Sequence, residues 1–256
     1  MWNGKNKAVT FSFDDGVEQD KLLIPILDKY NLKATFNLNS GVFGFRGQLE
    51  REKFTCPYNH IISSEIKEVY KNHEIAVHTI VHPDLTALEK DDAVVWQIEG
   101  DRRHLESFCD YPIQCMAYPG GRTDERVIKL IKENTPIKFA RGVVSTHGFD
   151  LQDDLLNFCP TVHWEDPNIF EDIENFLNRK SDKPQLLYIW GHAYEIDFGC
   201  RLITLEKFEK IVKEEVKSKE PSVIISQRPC ALLKNVNYGA PCVIDEDKCK
   251  NCKMCM

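Results

Sequence analysis

Apolar segments rich in β-branched and aromatic residues alternate along the chain with amphipathic helical patterns. The candidate strands lie near residues 7–13, 33–38, 74–79, 114–118, 138–144, 157–163 and 186–191. Between most of them, apolar residues recur at spacings of three and four, near residues 21–30, 64–71, 87–108, 124–132 and 167–177. This alternation predicts an α/β fold with a parallel sheet, either a barrel or an open doubly wound sheet.

The first candidate strand ends in two acidic residues, Asp14 and Asp15, which are followed by Gly16. Neighbouring side chains on a regular strand point to opposite faces, so both carboxylates can serve one site only if the chain bends there. Gly16 permits such a bend because glycine adopts backbone conformations that other residues rarely adopt. The other interpretation is a turn and a helix cap, a common use of Asp before a helix.

Two histidines four residues apart, His78 and His82, lie at and just after the end of the third candidate strand. Such a pair can share one helix face or straddle a strand end and a turn. The β-branched residues around His78 favour the strand, and Pro83 suits the start of a new helical turn. Neutral imidazoles with one carboxylate form the ligand set of a catalytic zinc or similar divalent metal. The plain alternative is two unrelated histidines held by local hydrogen bonds.

The candidate site residues fall at the same end of their predicted strands. Asp14, His78, Pro119 and His192 each lie at or just past the C-terminal end of a strand. α/β barrels place their catalytic loops at that end. This distribution favours a barrel with its site at the C-terminal edge of the strands.

Four fragments of the chain resemble signatures of the polysaccharide deacetylases, carbohydrate esterase family four. The first signature is matched by Thr10-Phe11-Ser12-Phe13-Asp14-Asp15-Gly16, and the second by His78-Thr79-Ile80-Val81-His82-Pro83-Asp84-Leu85. The third is matched by Ala117-Tyr118-Pro119-Gly120-Gly121, and the fifth by Tyr188-Ile189-Trp190-Gly191-His192-Ala193-Tyr194-Glu195. Their order and approximate spacing over residues 7–200 agree with the family as well. The resemblance implies a distorted (β/α)7 barrel.

The resemblance also implies roles for the site residues. Asp15, His78 and His82 would hold a divalent metal, either zinc or another transition metal. Asp14 would be the general base and His192 the general acid. A backbone N–H of the third signature, at Gly120, would stabilise the oxyanion. Further candidate substrate contacts are Tyr118, Pro119, Gly120, Trp164, Trp190 and Tyr194, although aromatic residues at strand ends are often plain packing.

Two positions depart from the family pattern. The third signature often begins with an Arg that orients the base, but this chain has Ala117 there. Arg141 or Arg122 would have to substitute, and the position of Arg141 at the end of a predicted strand favours Arg141. The fourth signature usually supplies an Asp as partner of the acid, but here His163 stands directly before Trp164. We expect Asp166 or Glu165 to take the partner role.

Composition and charge narrow the possible partners. The formal net charge of -7 gives no reason to expect a nucleic acid or an anionic membrane as a partner. The N-terminal residues enter the first strand without the apolar stretch of a signal peptide, and no later run is long enough to span a bilayer, so we expect a cytoplasmic protein. Five of the ten cysteines are scattered through a chain too large to need disulfides, and we interpret them as mostly reduced: Cys56, Cys109, Cys115, Cys159 and Cys200.

The C-terminal residues have a different character from the rest. Cys249, Cys252 and Cys255 form the opening of a bacterial ferredoxin-type iron–sulfur motif, but the sequence ends at Met256 before a fourth cysteine. Residues 220–256 also resemble an internal piece of the alpha subunit of indolepyruvate ferredoxin oxidoreductase. We therefore predict a deacetylase-like barrel over 1–219 and a mostly extended tail with one short strand over 220–256, either a natural fusion or a truncated or misjoined segment.

The leading hypothesis is a metal-dependent hydrolase of carbohydrate metabolism that cleaves amide bonds. Its substrate would be an acetylated sugar or oligosaccharide, from which it removes acetyl groups, above all N-acetyl groups. A second hypothesis is an iron–sulfur electron-transfer or partner-docking protein defined by the cysteine tail. A third is a non-catalytic carbohydrate-binding barrel or a related amide hydrolase.

Overall fold

A computed structural model describes residues 5–51, 54–197, 206–207, 209–210 and 223–224 of the chain. Cys249, Cys252 and Cys255 lie outside these residues, as does most of the predicted tail. The described piece of the tail is the strand Val223–Ile224, which pairs in parallel with Ala8 and Val9. None of the helices within the described ranges combines the length and the apolar character needed to cross a membrane.

Most of the strands belong to one parallel sheet. In chain order the strands are β1 (Lys7–Asp15), β2 (Ala34–Leu38), β3 (Gln48–Arg51), β4 (Phe54–Pro57), β5 (Glu74–Val77), β6 (Cys115–Ala117), β7 (Phe139–Arg141), β8 (Val162–His163), β9 (Gln185–His192) and β10 (Val223–Ile224). Strands β7, β6, β5, β2, β1, β9 and β8 lie side by side in that order and run parallel. Strands β3 and β4 form a separate antiparallel pair.

The sheet curls until its two ends meet across one segment of the chain. Phe158 forms a parallel bridge with Arg141 at the end of β7, and its N–H donates to the carbonyl oxygen of Ala140 at 3.0 Å. A few residues later the same segment becomes β8 and pairs with β9. The predicted strand 157–163 is therefore shared between two neighbours. This arrangement confirms the predicted α/β class and the distorted (β/α)7 barrel.

Strand β1 is the central element of the barrel because it pairs with β9 on one side and β2 on the other. Its apolar residues Val9, Phe11 and Phe13 are fully buried. Ser12 is buried as well, and its hydroxyl accepts a hydrogen bond from the side-chain amide of Asn37 on β2 at 2.8 Å. Coverage on both faces is typical of a strand in a parallel sheet. The pairing of β1 with β9 and β2 also fixes where the end of β1 lies.

Helices and short turns connect the strands. The helices are α1 (Asp20–Lys29), α2 (Ser63–Val69), α3 (Asp91–Val95), α4 (Asp101–Glu106), α5 (Glu125–Asn134) and α6 (Ile169–Asn178), and the 3-10 turns are Ser40–Val42, Leu85–Ala87, Pro119–Gly121 and Ala193–Ile196. A π-helical segment, Trp96–Gly100, joins α3 to α4. The helix predicted over 87–108 begins only at Asp91. Before it, Asp84 accepts a hydrogen bond from the N–H of Thr86 and stabilises the turn Leu85–Ala87.

The π-helical segment holds the loop that follows β5. The backbone carbonyl of Gln97 accepts a hydrogen bond from the N–H of Ile80 at 3.1 Å, and its side-chain oxygen accepts one from the N–H of Val81 at 3.2 Å. π-Helical turns inside α-helices are frequent near functional sites. Here the widened turn lies against the loop that carries His82.

Close packing of Trp164 against β9 requires a glycine at position 191. The indole of Trp164 is fully buried and packs edge-on against Phe13, with ring centroids 5.1 Å apart. A Cβ atom added at Gly191 would lie 2.4 Å from Cδ1 and Nε1 of that indole. Any side chain at position 191 would therefore displace Trp164 from its place in the core.

We expect Gly191→Ala to lower the free energy of unfolding by about 1–3 kcal/mol, because overpacking of a dense core has a cost of this order. Chemical denaturation measures the change. The matched control is Gly148→Ala, since an added Cβ there meets only ordinary contacts at 3.7–3.9 Å, and its effect should stay within about 0.5 kcal/mol. Equal stability of the two variants would contradict this packing.

Candidate active site

The backbone turns sharply where β1 ends, at Asp15 and Gly16. Both residues have positive φ angles, 79° at Asp15 and 68° at Gly16. The bend predicted from Gly16 therefore begins one residue earlier. Both carboxylates then face the same imidazole: His78 Nε2 lies 3.9 Å from Asp14 Oδ2 and 3.5 Å from Asp15 Oδ1. Two adjacent acidic residues thus lie in one buried site.

Asp15, His78 and His82 form a compact cluster, as the sequence predicts. Their candidate ligand atoms all lie within 4.8 Å of one another. Asp15 Oδ1 is 3.7 Å from His82 Nε2, and the two imidazole centroids are 4.8 Å apart. Asp15 and His78 are buried, whereas the side chain of His82 is 41% exposed. The cluster therefore opens to solvent on the side of His82.

The donor atoms of this cluster fit a divalent cation. His78 Nδ1 lies 2.8 Å from the carbonyl oxygen of Ala117. Because a carbonyl only accepts, Nδ1 must carry a proton, and Nε2 is left for a metal. Asp15 Oδ1 is buried and, among the described residues, has no hydrogen-bond partner. A buried carboxylate oxygen without a donor beside two imidazole nitrogens is the chemistry of a zinc-type site.

Asn39 and Asp101 hold the loop that presents the histidines. The side-chain amide of Asn39 donates to the carbonyl oxygens of His78 and, at 2.9 Å, Thr79. The carboxylate of Asp101 accepts from the backbone N–H of His78 at 3.1 Å and of Ser40 at 2.8 Å. Burial raises the pKa of Asp101 to about 7. The sequence analysis missed both residues, although an acidic residue on the buried face of a helix is a signal for Asp101.

Asp14 is paired with Arg141 from the end of β7. The fully buried guanidinium of Arg141 donates to Asp14 Oδ1, which also accepts from the side-chain amide of Asn37 at 2.8 Å. Burial alone would raise the pKa of Asp14, but Arg141 and His78 outweigh it and lower this pKa below its ordinary value. Arg122, the other candidate, is largely exposed and pairs with Asp84. Arg141 therefore occupies the place expected of the missing arginine.

His192, at the end of β9, lies beside Asp14 in register across the two strands. Its Nδ1 is 3.0 Å from Oε1 of Glu195, a buried residue three positions further along. Burial alone would lower the pKa of His192, but Glu195, Asp15 and Asp14 outweigh it and raise this pKa to about 9. Burial alone would raise the pKa of Glu195, but His192 and His163 outweigh it and lower this pKa. The imidazole is therefore held in its protonated form.

Glu195 takes the partner role that the sequence analysis assigned to Asp166 or Glu165, so that assignment is wrong. Asp166 accepts from the N–H of Asn168 at 2.8 Å, and Glu165 pairs with Arg51 at 2.9 Å. The missed signal is the spacing of Glu195 from His192. It matches a capping box, in which an acidic side chain reaches back to the start of its own turn.

The predicted substrate contacts divide into buried and accessible residues. Tyr118 is fully buried and donates its hydroxyl to the carbonyl oxygen of Leu156 at 2.6 Å. Trp164 is fully buried as well, with its indole N–H donated to Glu195. Pro119 is buried at the start of its turn, whereas Gly120 is exposed with open space beside it. The expected sugar contacts of Tyr118 and Trp164 are thus not borne out by their positions.

Other aromatic residues lie closer to the opening of the site. Trp190 is nearly buried between the guanidinium of Arg141, 4.6 Å from its ring, and the imidazole of His163, 4.5 Å away. Tyr194 is partly exposed and stacks on His192 at 4.9 Å. Tyr58, which the sequence analysis missed, packs edge-on against Tyr194 at 5.5 Å. These two tyrosines pack side by side next to His192.

Comparison with known proteins gives one curated relative and several related structures. The probable 4-deoxy-4-formamido-L-arabinose-phosphoundecaprenol deformylase ArnD of Wigglesworthia glossinidia brevipalpis is 31% identical over 77 residues, which are 29% of this chain and 27% of that relative. The family 4 carbohydrate esterase from Streptomyces lividans, solved with acetate, is 15% identical and has a TM-score of 0.51, covering 82% of this chain and 88% of its own.

A CE4 family pseudoenzyme from Bacillus anthracis has the same fold, with 17% identity, a TM-score of 0.51 and coverage of 86% of this chain and 63% of its own. The shared barrel therefore shows the architecture and leaves the activity to be argued from the site. The family model of polysaccharide deacetylases matches residues 3–136, more than half of the sequence, including Asp14, Asp15, His78 and His82. This chain belongs to the polysaccharide deacetylase family.

Proposed function

We propose that this protein is a metal-dependent hydrolase that removes acetyl groups from an N-acetylated sugar or oligosaccharide. One observation carries the proposal: a buried carboxylate, Asp14, and a protonated imidazole, His192, flank the cluster of Asp15, His78 and His82. A base and an acid on two sides of a candidate metal site are the groups that hydrolysis of an acyl bond requires.

The acid side of the site supports an amide rather than an ester substrate. An amine is a poor leaving group unless it is protonated as the C–N bond breaks, whereas an alkoxide depends less on a proton donor. The pKa of His192, raised to about 9, keeps a proton available at neutral pH. The curated relative with 31% identity is named as a deformylase of a formamido sugar, which is also an N-acyl amide on a sugar.

The mechanism follows from the positions of the residues. When bound at Asp15, His78 and His82, a divalent cation such as zinc supplies Lewis acidity toward water and the acyl carbonyl. Asp14, ionised and held by Arg141, takes one proton from the water whose oxygen attacks the carbonyl carbon. His192 gives its proton to the amide nitrogen as the C–N bond breaks. The products are acetate and the free amine of the sugar.

The turn Pro119–Gly121 is placed to assist this reaction. Gly120 has a φ of 59° and is exposed, with open space where a side chain would be. A backbone N–H at such a position can approach a ligand closely, since no Cβ stands in the way. We assign the N–H of Gly120 to the oxyanion of the tetrahedral intermediate, where a preorganised donor stabilises developing charge.

Replacement of the proposed base should abolish most of the turnover. We expect Asp14→Asn to lower kcat by about 10²–10⁴-fold, because an amide cannot accept the proton of water. Acetate release from a panel of N-acetylated sugars measures the change, with bound metal quantified in parallel. The control is Asp91→Asn, an exposed carboxylate paired with Arg126. Near-normal acetate release by Asp14→Asn would reject the assignment of Asp14 as the base. If the wild-type protein binds an acetylated sugar but releases no acetate, a non-catalytic carbohydrate-binding barrel is favoured instead.

Removal of the metal, or of one of its ligands, should abolish activity. We expect a chelator to stop acetate release and added zinc to restore it. His78→Gln should bind metal more than about 100-fold more weakly, because loss of a ligand has a larger effect than the 10–100-fold typical of an outer-shell partner. The matched control is His104→Gln, an exposed histidine on α4 that should leave metal content unchanged. Full turnover by metal-free protein would contradict the proposal.

The pH profile should report the acid and its partner. Because His192 acts while protonated and its pKa is raised to about 9, activity should be present below that pH and lost as the pH rises through it. A cation at Asp15 would oppose part of this shift, so we expect the alkaline limb of kcat/KM at or below pH 9.

Glu195→Gln removes the charge that holds the proton on His192. We expect the alkaline limb to move to lower pH by about one to two units, since a hydrogen bond to a charged group contributes roughly 1.5–3 kcal/mol. Asp166→Asn, the other carboxylate considered from the sequence, is the matched control and should leave the limb in place. A shift caused by Asp166→Asn and none by Glu195→Gln would reverse the assignment.

A further inference from the structure

Two imidazoles share the carboxylate of Glu195. Oε1 of Glu195 lies 3.0 Å from His192 Nδ1 and 3.3 Å from His163 Nε2. Oε2 accepts from the indole N–H of Trp164 and, at 3.0 Å, from the backbone N–H of His192. An ionised carboxylate has about four sites for donors, so Glu195 is close to fully satisfied. Of the two imidazoles, His163 is the one that the proposed mechanism does not use.

The hydrogen bonds define the protonation state of His163. The backbone N–H of Glu165 donates to His163 Nδ1 at 3.3 Å. A ring nitrogen that accepts a hydrogen bond carries no proton, so the proton of the imidazole is on Nε2, where it faces Oε1 of Glu195. His163 therefore acts as a donor to Glu195.

The same hydrogen bond argues against a second metal at this group. His163, His192 and Glu195 offer ligand atoms within 4.8 Å of one another, a set that could hold a cation. A metal at His163 Nε2 would need the lone pair of that nitrogen and would move the proton to Nδ1. The N–H of Glu165 already occupies Nδ1, so two N–H groups would then point at each other.

We propose that His163 is a positioning residue for the acid side of the site: its Nε2–H fixes Glu195 Oε1 and limits how strongly that carboxylate retains the proton of His192. This inference rests on the proposed role of His192 as the acid. An N–H that donates to an ionised carboxylate stabilises its charged form, so the carboxylate attracts other protons less strongly. His192 is thereby kept protonated and still able to release its proton to the leaving amine.

The surroundings of His192 predict the direction of the effect. Asp14 and Asp15 on β1 and Glu195 in its own turn act on it electrostatically. The ring of His163 approaches it from β8, and the ring of Tyr194 stacks on it. Removal of His163 leaves all three acidic charges in place and frees Oε1 of Glu195 for His192 alone. The proton of His192 should then be held more tightly, the opposite of the change expected for Glu195→Gln.

The test compares His163→Leu, His163→Gln and Glu195→Gln in the full chain. NMR titration of the imidazole resonances measures the pKa of His192 without any need for turnover, and the pH profile of kcat follows acetate release. We expect His163→Leu to raise the pKa of His192, to move the alkaline limb to higher pH and to lower kcat about tenfold, a part of the roughly 10²–10⁴-fold that a general acid contributes. His163→Gln, whose amide N–H can reach Glu195, should restore wild-type behaviour.

Three further outcomes are decisive. If His163→Leu lowers the pKa of His192, as Glu195→Gln should, His163 only keeps Glu195 in place and the inference is overturned. It is also overturned if the wild type binds a second equivalent of zinc that His163→Leu does not bind. An upward shift of the pKa of His192 in a protein that hydrolyses no acetylated sugar supports the role of His163 and rejects the proposed function instead, so the two failures are distinguishable.

Discussion

The reversal of the backbone at Asp15 determines the arrangement of the whole site. A residue other than glycine at positive φ carries a cost of about 1–3 kcal/mol, so the surrounding structure must hold it there. Parallel pairing of β1 with both β9 and β2 fixes the strand up to its last residues. Beyond it, His60 hydrogen-bonds to the carbonyl oxygen of Asp15 at 2.9 Å. Gly16 then passes so close to Leu38 that a Cβ would lie 2.7 Å from Cδ2 of that side chain.

This reversal separates the tasks of two identical side chains. Asp14 remains on the strand and pairs with Arg141, which stabilises its ionised form inside the barrel. Asp15 turns toward the two histidines and keeps one oxygen free of hydrogen bonds among the described residues. Environments that give neighbouring titratable groups different pKa values are how one site provides both a base and an acid. Here the pKa of Asp14 is lowered and that of His192 is raised to about 9.

The sequence predicted the parallel strands of the curled sheet and the grouping of Asp15, His78 and His82, because both depend on local patterns. Each predicted strand has its own apolar run, and the C-terminal ends of parallel strands meet at one edge, which brings Asp15 and His78 together. The partner of His192 and the burial of Tyr118 and Trp164 depend on residues distant in sequence. Trp164 is buried because Gly191 on β9 leaves space for its indole, and no pattern around Trp164 indicates this. The choice of Arg141 over Arg122 was possible because only one of them ends a strand.

The missing Asp of the fourth signature and the carboxylate of Glu195 beside His192 are best understood as a single change. The resemblance to the family implies an Asp at the fourth signature, on the strand that carries His163 in this chain. Here the carboxylate comes instead from Glu195, in the turn after β9, whose longer side chain reaches back to His192 from three residues away. A carboxylate at position 163 would add a second negative charge beside Glu195, and buried like charges disfavour each other's ionisation. A histidine that donates a hydrogen bond is compatible with a carboxylate at position 195. The presence of Glu195 therefore accounts for a histidine, rather than an Asp, at position 163.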